Sequence, residues 1–346
     1  MTSKGIDKGR GRLVVRVPNW VGDIVMATPV LEAAANSTEW DDVRFLMRAH
    51  LAPLLADAPW ADRIVTLESS KEEVAQYQVL RADAALLLSN SLGSAWRAFR
   101  AGVKQRAGSA LSGRRWLLTH SFIPPTRAGR RVPVPTAHLH RDAAGLLGLQ
   151  LPSLHPSLWV REELQAKVAE ELLEAGLEKG EDYVFCCPGA AFGAAKLWPP
   201  ARFAEVLDEL HARHGWRAVI SGGPNEEPLM RAVREACKHD AIELSESPRD
   251  LERLKAQVKA ARLLLVGDSG PRWVAAAFDV PCVSIMGPNF PELTATSLEH
   301  CRVVRLDGLE CSPCIQRTCP LNHHRCMTDL PASRAIEAAE EVLGGR

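Results

Sequence analysis

The 346-residue sequence has no net charge: 42 Lys and Arg balance 42 Asp and Glu. No global field therefore selects nucleic acid as a partner. There is no apolar run long enough to span a bilayer. The polar, basic stretch Met1 to Gly11 is not followed by a signal-like apolar core with a cleavage site, because the stretch from Leu13 is broken by Arg16, Pro18, Asn19 and Asp23. No internal repeat is visible. The expectation is a cytoplasmic protein with at most peripheral membrane contact. The nine cysteines then read as thiols or metal ligands rather than a disulfide frame.

The length exceeds what one hydrophobic core usually serves, so two domains are expected. Apolar runs at Arg12 to Val17, Val43 to Met47 and Ala84 to Leu88 in the first half, and at Tyr183 to Cys187, Ala218 to Ser221, Leu263 to Val266 and Cys282 to Met286 in the second, predict strands. Helical patterns lie between them, for instance Ile24 to Asn36, Arg202 to His214 and Arg272 to Phe278. Strand, turn and helix in repetition predict an α/β fold with parallel sheets covered on both faces. Two prolines interrupt Leu151 to Trp159, which places the domains at 1–157 and 158–346. Doubly wound domains facing one another leave a cleft at the carboxyl ends of their strands, where ligands bind. The Pro- and Arg-rich segment Ser121 to Pro135 reads as an extended or mobile loop.

Four segments carry candidate chemistry. The first is the turn Pro18-Asn19-Trp20-Val21-Gly22-Asp23, after the first strand. With one glycine instead of GxGxxG, it weakens a nicotinamide oxidoreductase reading. Asp23 either caps the following helix or faces the cleft as a general base for a sugar hydroxyl. The second, Pro188 to Pro199 (PGAAFGAAKLWP), is a flexible Gly/Ala loop or a close-approach loop in which Ala190 and Ala191 meet a ligand and Lys196 offers a charge to phosphate. The third, Gly267-Asp268-Ser269-Gly270-Pro271, provides a helix N-cap at Asp268 or Ser269, amide donors for an anion, or both. The similar turn Ser221 to Glu227 would let Glu226 hold ribose hydroxyls. The fourth holds Cys311, Cys314, Cys319 and Cys326, with His323 and His324 among them. Four soft ligands suit a structural zinc or similar ion. Reduced thiols or a redox-formed disulfide are the alternatives. No carboxylate accompanies them, which disfavours a catalytic metal. Separately, the run from Arg97 to Arg131 carries nine basic residues and no acidic one. It reads as a solvated basic face or as a surface for an anionic partner.

Taken in order and spacing, VPNWVGDIVMATP (17–29), CPGAAFGAAKLWP (187–199), GDSGPRWVAAAF (267–278) and CSPCIQRTCPLNHHRCM (311–327) resemble glycosyltransferase family 9, the heptosyltransferases, most closely the heptosyltransferase II branch. Asn90-Ser91 and the segment around Arg114 and Arg115 also resemble family patterns. The resemblance implies a GT-B fold of two Rossmann-like domains, the N-terminal one meeting the acceptor and the C-terminal one the nucleotide sugar. It implies an inverting transfer of heptose from ADP-heptose to the phosphorylated lipopolysaccharide inner core, at the inner face of the inner membrane, with Asp23 as base. Asn19, Gly22, Arg114 and Arg115 fall on the acceptor side; Ala190, Ala191, Lys196, Glu226, Asp268, Ser269, Gly270 and Pro271 fall on the donor side. No cofactor is required by this reading. One departure is Arg272-Trp273, where the family commonly carries a His or Met-His after DSG; that contact to phosphate or acceptor is either lost or rebuilt by Arg272. Other donors or acceptors, and a non-catalytic sugar-nucleotide binder, are the competing readings.

Overall fold

The computed structural model describes residues 11–127 and 130–344, so the basic stretch read at the N-terminus lies, Gly11 apart, outside the described residues. The chain divides into two compact units, Met1–Ser157 with Glu292–Thr296, and Leu158–Pro291 with Ser297–Arg346.

The first unit runs β1 (Arg12–Arg16), α1 (Val21–Ala35), β2 (Asp42–Arg48), β3 (Ile64–Leu67), α2 (Glu73–Val79), β4 (Ala84–Leu87), α3 (Leu92–Arg100), β5 (Gln105–Ser109) and β6 (His120–Phe122). A short antiparallel pair, β7 (Thr126–Arg127) with β8 (Arg130–Arg131), and α4 (Thr136–Gly145) follow. The Pro/Arg segment thus pairs with itself in part. The six-stranded sheet has the order β3-β2-β1-β4-β5-β6, all parallel. Leu13 to Arg16 and all of β4 are buried, as strands covered on both faces require. Helix α1 buries ten of its fifteen residues and packs against α4. It begins at Val21, not Ile24, so Gly22 and Asp23 belong to its first turn. Strand β5 (QRAGS) has too few apolar residues to announce itself; pairing with β4 and β6 makes it a strand.

The second unit runs α5 (Glu162–Glu174), β9 (Tyr183–Cys187), α6 (Pro200–His214), β10 (Arg217–Ile220), α7 (Glu227–Ala236), β11 (Ile242–Glu243), α8 (Leu251–Ala260), β12 (Leu263–Gly267), α9 (Pro271–Ala277), β13 (Cys282–Ile285), β14 (Cys301–Val304), α10 (Arg325–Thr328) and α11 (Ala332–Gly344). Its parallel sheet, β11-β10-β9-β12-β13-β14, repeats the topology of the first. Leu263, Leu265, Val283 and Ile285 share one core with Phe203, Leu207 and Leu210 of α6 and with Ala335 and Ala339 of α11. Gly215, in the left-handed region at φ 74°, ends α6, a conformation that favours glycine. No helix among the described residues is long and apolar enough to cross a membrane.

His140 on α4 is 2% exposed, and burial lowers its pKa to about 4, against a weaker opposing hydrogen bond with the backbone of Met26. The folded state therefore holds it neutral, while the unfolded chain protonates near pH 6.5. Its stabilising contribution is complete above that value and is lost as the pH falls toward 4. A His140→Phe variant should flatten this part of the stability–pH curve by roughly 3 kcal/mol, as read from denaturant melts at stepped pH. An unchanged curve would rule out this origin.

Candidate functional site

In both sheets the strand order reverses beside the first strand, between β1 and β4 in one unit and between β9 and β12 in the other. Connections leaving two adjacent parallel strands on opposite sides open a crevice at their carboxyl ends, the usual ligand position in such sheets. The first and second candidate segments follow β1 and β9, and the third follows β12.

In the first unit, the turn after β1 delivers Asn19 and Trp20 to the surface and Asp23, partly buried, to the first turn of α1. Trp20 holds the N-cap position without a side-chain cap bond. A carboxylate in that turn is favoured by the helix dipole. The turn is anchored from below. Arg16, 1% exposed, donates from Nη2 to Asn19 Oδ1 at 2.9 Å and also to the Val17 carbonyl. Glu73, itself fully buried, lies 3.3 Å from Arg16 and 2.9 Å from Arg97. The Arg16–Glu73–Arg97 network was not foreseen from the sequence, because its members lie on β1, α2 and α3. The Tyr77 hydroxyl beside it is pushed well above its ordinary pKa, chiefly by burial and then by the Glu73 carboxylate.

Arg114 and Arg115 separate. Arg115 is exposed. Arg114 is fully buried, and its guanidinium donates to the carbonyls of Ser109 at 2.8 Å and Ser89, and to Asn90 Oδ1 at 3.0 Å. Burial lowers its pKa to about 10. Expected on the acceptor side as a substrate contact, Arg114 instead ties together the ends of β4 and β5 and orients Asn90, whose Oδ1 also accepts from Ser109 Oγ at 2.7 Å.

In the second unit the loops after β9 and β12 meet through charge. Lys196 Nζ lies 2.6 Å from Asp268 Oδ2, with side-chain exposures of 12% and 8%. Nζ also donates to the Asp268 carbonyl at 3.1 Å and sits 4.9 Å from the Phe192 ring centre. Asn289, after β13, donates to the same Asp268 oxygen at 2.9 Å. It was missed from sequence, where the only signal was a Gly-Pro-Asn turn following a strand. The N-cap of α9 is Gly270, not Asp268 or Ser269, and Pro271 opens the helix. Arg272 and Trp273 are 1% and 4% exposed, with the Arg272 guanidinium 4.5 Å from the Trp273 ring centre, so the departure from the family pattern is a buried stacked pair.

Glu226 holds the N-cap position of α7 and accepts from the Gly223 amide at 2.7 Å. A Cβ on Gly189 would lie 2.1 Å from that carboxylate, so the glycine is what lets β9 end beneath Glu226. Ala190 is half-buried and Ala191 exposed in the loop after β9. Gly193, at φ 152°, has the Arg317 carbonyl 2.5 Å from where a Cβ would be, and that carbonyl accepts from the Ala195 amide at 3.0 Å. His324 Nε2 contacts the Ala195 carbonyl at 2.9 Å. The cysteine segment therefore buttresses the Lys196 loop.

All nine cysteines are free thiols. Cys311, Cys314, Cys319 and Cys326 line one cavity with His323 and His324. The Cys326 thiol is pushed up to about 11 by burial and by the three neighbouring cysteines. Among the described residues, the metal-competent group whose ligand atoms all lie within 4.8 Å of one another is instead Asp208, Cys237 and His239. There Asp208 Oδ1 accepts from the backbone amide of Lys238 at 2.9 Å and lies 2.6 Å from His239 Nδ1, so its carboxylate is already engaged in tying α6 to the segment after α7.

Residues 75–325 match the family model described as Glycosyltransferase family 9 (heptosyltransferase). Lipooligosaccharide heptosyltransferase 2 of Campylobacter jejuni serotype O:2 is 32% identical over 170 residues, 48% of this chain and 53% of that protein. Lipopolysaccharide heptosyltransferase 2 of Salmonella typhimurium is 26% identical over 353 residues, covering 96% and 98%. Among solved structures, the ADP-heptose lps heptosyltransferase II of E. coli superposes with a TM-score of 0.74 at 23% identity, covering 96% of this chain and 98% of that one. Its fold, GT-B, is the fold of this chain.

Proposed function

This chain belongs to glycosyltransferase family 9, and from that premise we propose that it moves heptose from ADP-heptose to a phosphorylated lipopolysaccharide inner core, with inversion. The observation that carries the reading is the pairing of Lys196 with Asp268 at the strand-order reversal of the second unit. That position receives phosphates in doubly wound folds, and a lysine with little exposure is a strong partner for a diphosphate.

In this reading the donor occupies the second unit. Lys196 meets the diphosphate, and the backbone of Ala190, Ala191 and Ser269 to Pro271 approaches it closely. Glu226 accepts from ribose hydroxyls. The first unit takes the acceptor, with Asn19, Gly22 and Arg115 around it and Arg114 acting only through Asn90. Asp23 removes the proton from the acceptor hydroxyl. The freed oxygen pair bonds to the anomeric carbon as the bond from that carbon to the diphosphate oxygen breaks, and ADP leaves with those electrons. Fixed positive charge near the departing phosphate lowers the barrier most. The site of action is the cytoplasmic face of the membrane that carries the acceptor.

The test is ADP release from ADP-heptose with and without a heptose-deficient core acceptor. Acceptor-dependent release upholds the assignment. Binding of ADP-heptose without turnover sinks the acceptor, and no binding at all sinks the donor.

The four C-terminal cysteines are assigned a soft, structural metal ion. Their donor chemistry fits zinc, although a tetrahedral site with Zn–S near 2.3 Å requires the sulfurs to draw closer than in this arrangement. Bound, the ion would stiffen the segment that holds Ala195 through Arg317 and His324. Full-length protein purified without chelator should carry about one zinc per chain. Paired Cys314→Ser and Cys319→Ser should abolish this, while wild-type transfer proceeds without added divalent cations. Four thiols titrating freely in metal-poor protein would refute it.

A further inference from the structure

The basic run of the first unit is sorted by the fold. Arg97 turns to buried Glu73 and Arg114 is enclosed, whereas Arg100, Lys104 and Arg115 on and beside α3 are exposed, as are the more distant Arg127 and Arg131. Beside these, Leu92, Trp96 and Phe99 stand 45%, 44% and 46% exposed on α3, and Trp116 of the following connection 69% exposed. Positions 92, 96 and 99 follow i, i+4, i+7, one narrow stripe of a helix, while Ser94, Ala95 and Ala98 face inward. The Trp96 ring centre is 5.7 Å from that of Phe99 and 6.3 Å from that of Trp116, so the rings form one patch. Single exposed apolar side chains are ordinary, but a contiguous aromatic patch marks an interaction surface.

We infer that this patch docks the protein on an anionic lipid surface. Tryptophan and phenylalanine flanked by arginine and lysine suit the level of the head groups. The charge carried by this stretch of chain is of one sign, since no Asp or Glu occurs from Ala84 to Arg141, and the acidic neighbour Glu73 is buried against Arg16 and Arg97; the exposed cations complement anionic lipid. Helix α3 begins just past Ser89 and Asn90, at the end of the strand beside β1, so the helix that carries the patch starts from the same carboxyl edge of the sheet from which α1 carries Asp23. The inference rests on the proposed lipid-borne acceptor, which this geometry would present to that edge.

The test uses the full chain with phosphatidylcholine vesicles, with and without phosphatidylglycerol. Cosedimentation should require the anionic lipid and weaken with salt. Combined Trp96→Ala, Phe99→Ala and Trp116→Ala should cut partitioning by on the order of tenfold or more. Separately, Arg100→Glu with Lys104→Glu should cost about fivefold per lost charge. Transfer to a deacylated, soluble acceptor should be unchanged in both variants, whereas transfer to vesicle-embedded acceptor falls with binding. Wild type that ignores anionic vesicles, or variants that bind as well as wild type, would overturn the docking. So would a concentration-dependent dimer dissolved by the triple variant, which would assign the patch to a second copy. Vesicle binding with no transfer to the soluble acceptor would uphold the docking while sinking the proposed transfer.

Discussion

Asp23→Asn is expected to lower kcat by on the order of 10²–10⁴ while leaving the binding of ADP-heptose nearly unchanged. A positioned general base contributes about that factor, and Asn keeps the shape of the side chain while removing its ability to take a proton. The competing role is structural. Asp23 sits in the first turn of α1, where its charge interacts with the helix dipole at a value of about 0.3–1 kcal/mol. A purely structural Asp23 would show in the melting temperature and leave kcat within a few-fold of wild type. Measuring kcat, KM and melting together separates the two: a loss confined to kcat is that of a group acting in the transition state.

Lys196→Met is expected to weaken ADP binding by roughly 10- to 100-fold, the range for a hydrogen bond to a charged group. The pair with Asp268 adds a second expectation. With Lys196 gone, the Asp268 carboxylate, 8% exposed, retains only Asn289 as its hydrogen-bonding partner among the contacts described above, and it repels an incoming diphosphate. Adding Asp268→Asn to Lys196→Met should therefore recover part of the affinity, so that the double variant binds ADP more tightly than Lys196→Met alone. Titration calorimetry across the four proteins gives the coupling directly. Simple additivity, or no effect of Lys196→Met, would remove Lys196 from the phosphate site and leave the pair as a loop clasp.

The two predictions differ in what supports them. Asp23 stands out in the sequence as a carboxylate in a strand-to-helix turn that lacks the dinucleotide glycines. The partnership of Lys196 with Asp268 does not, because 72 residues separate them and only the adjacency of β9 and β12 brings their loops together. Asn289 and the Arg16–Glu73–Arg97 network were invisible for the same reason.

By itself the sequence determined the class of fold and the places where ligands could bind. Continuous apolar runs such as those of β1, β9, β12 and β13 can be satisfied only by strands buried on both faces, and the Gly/Pro turns after them mark the carboxyl ends. The tertiary structure alone decided which side chains reach those ends. Arg114 and Arg115 are chemically identical neighbours, yet one fills its hydrogen bonds with loop carbonyls and the other meets water. Trp96, Phe99 and Trp116 became one surface only when the connection after β5 folded against α3. Periodicity encodes burial because it is a local property of the chain. Which partner a buried charge or an exposed ring finds depends on strand order and register, and those are settled by contacts between residues far apart in sequence.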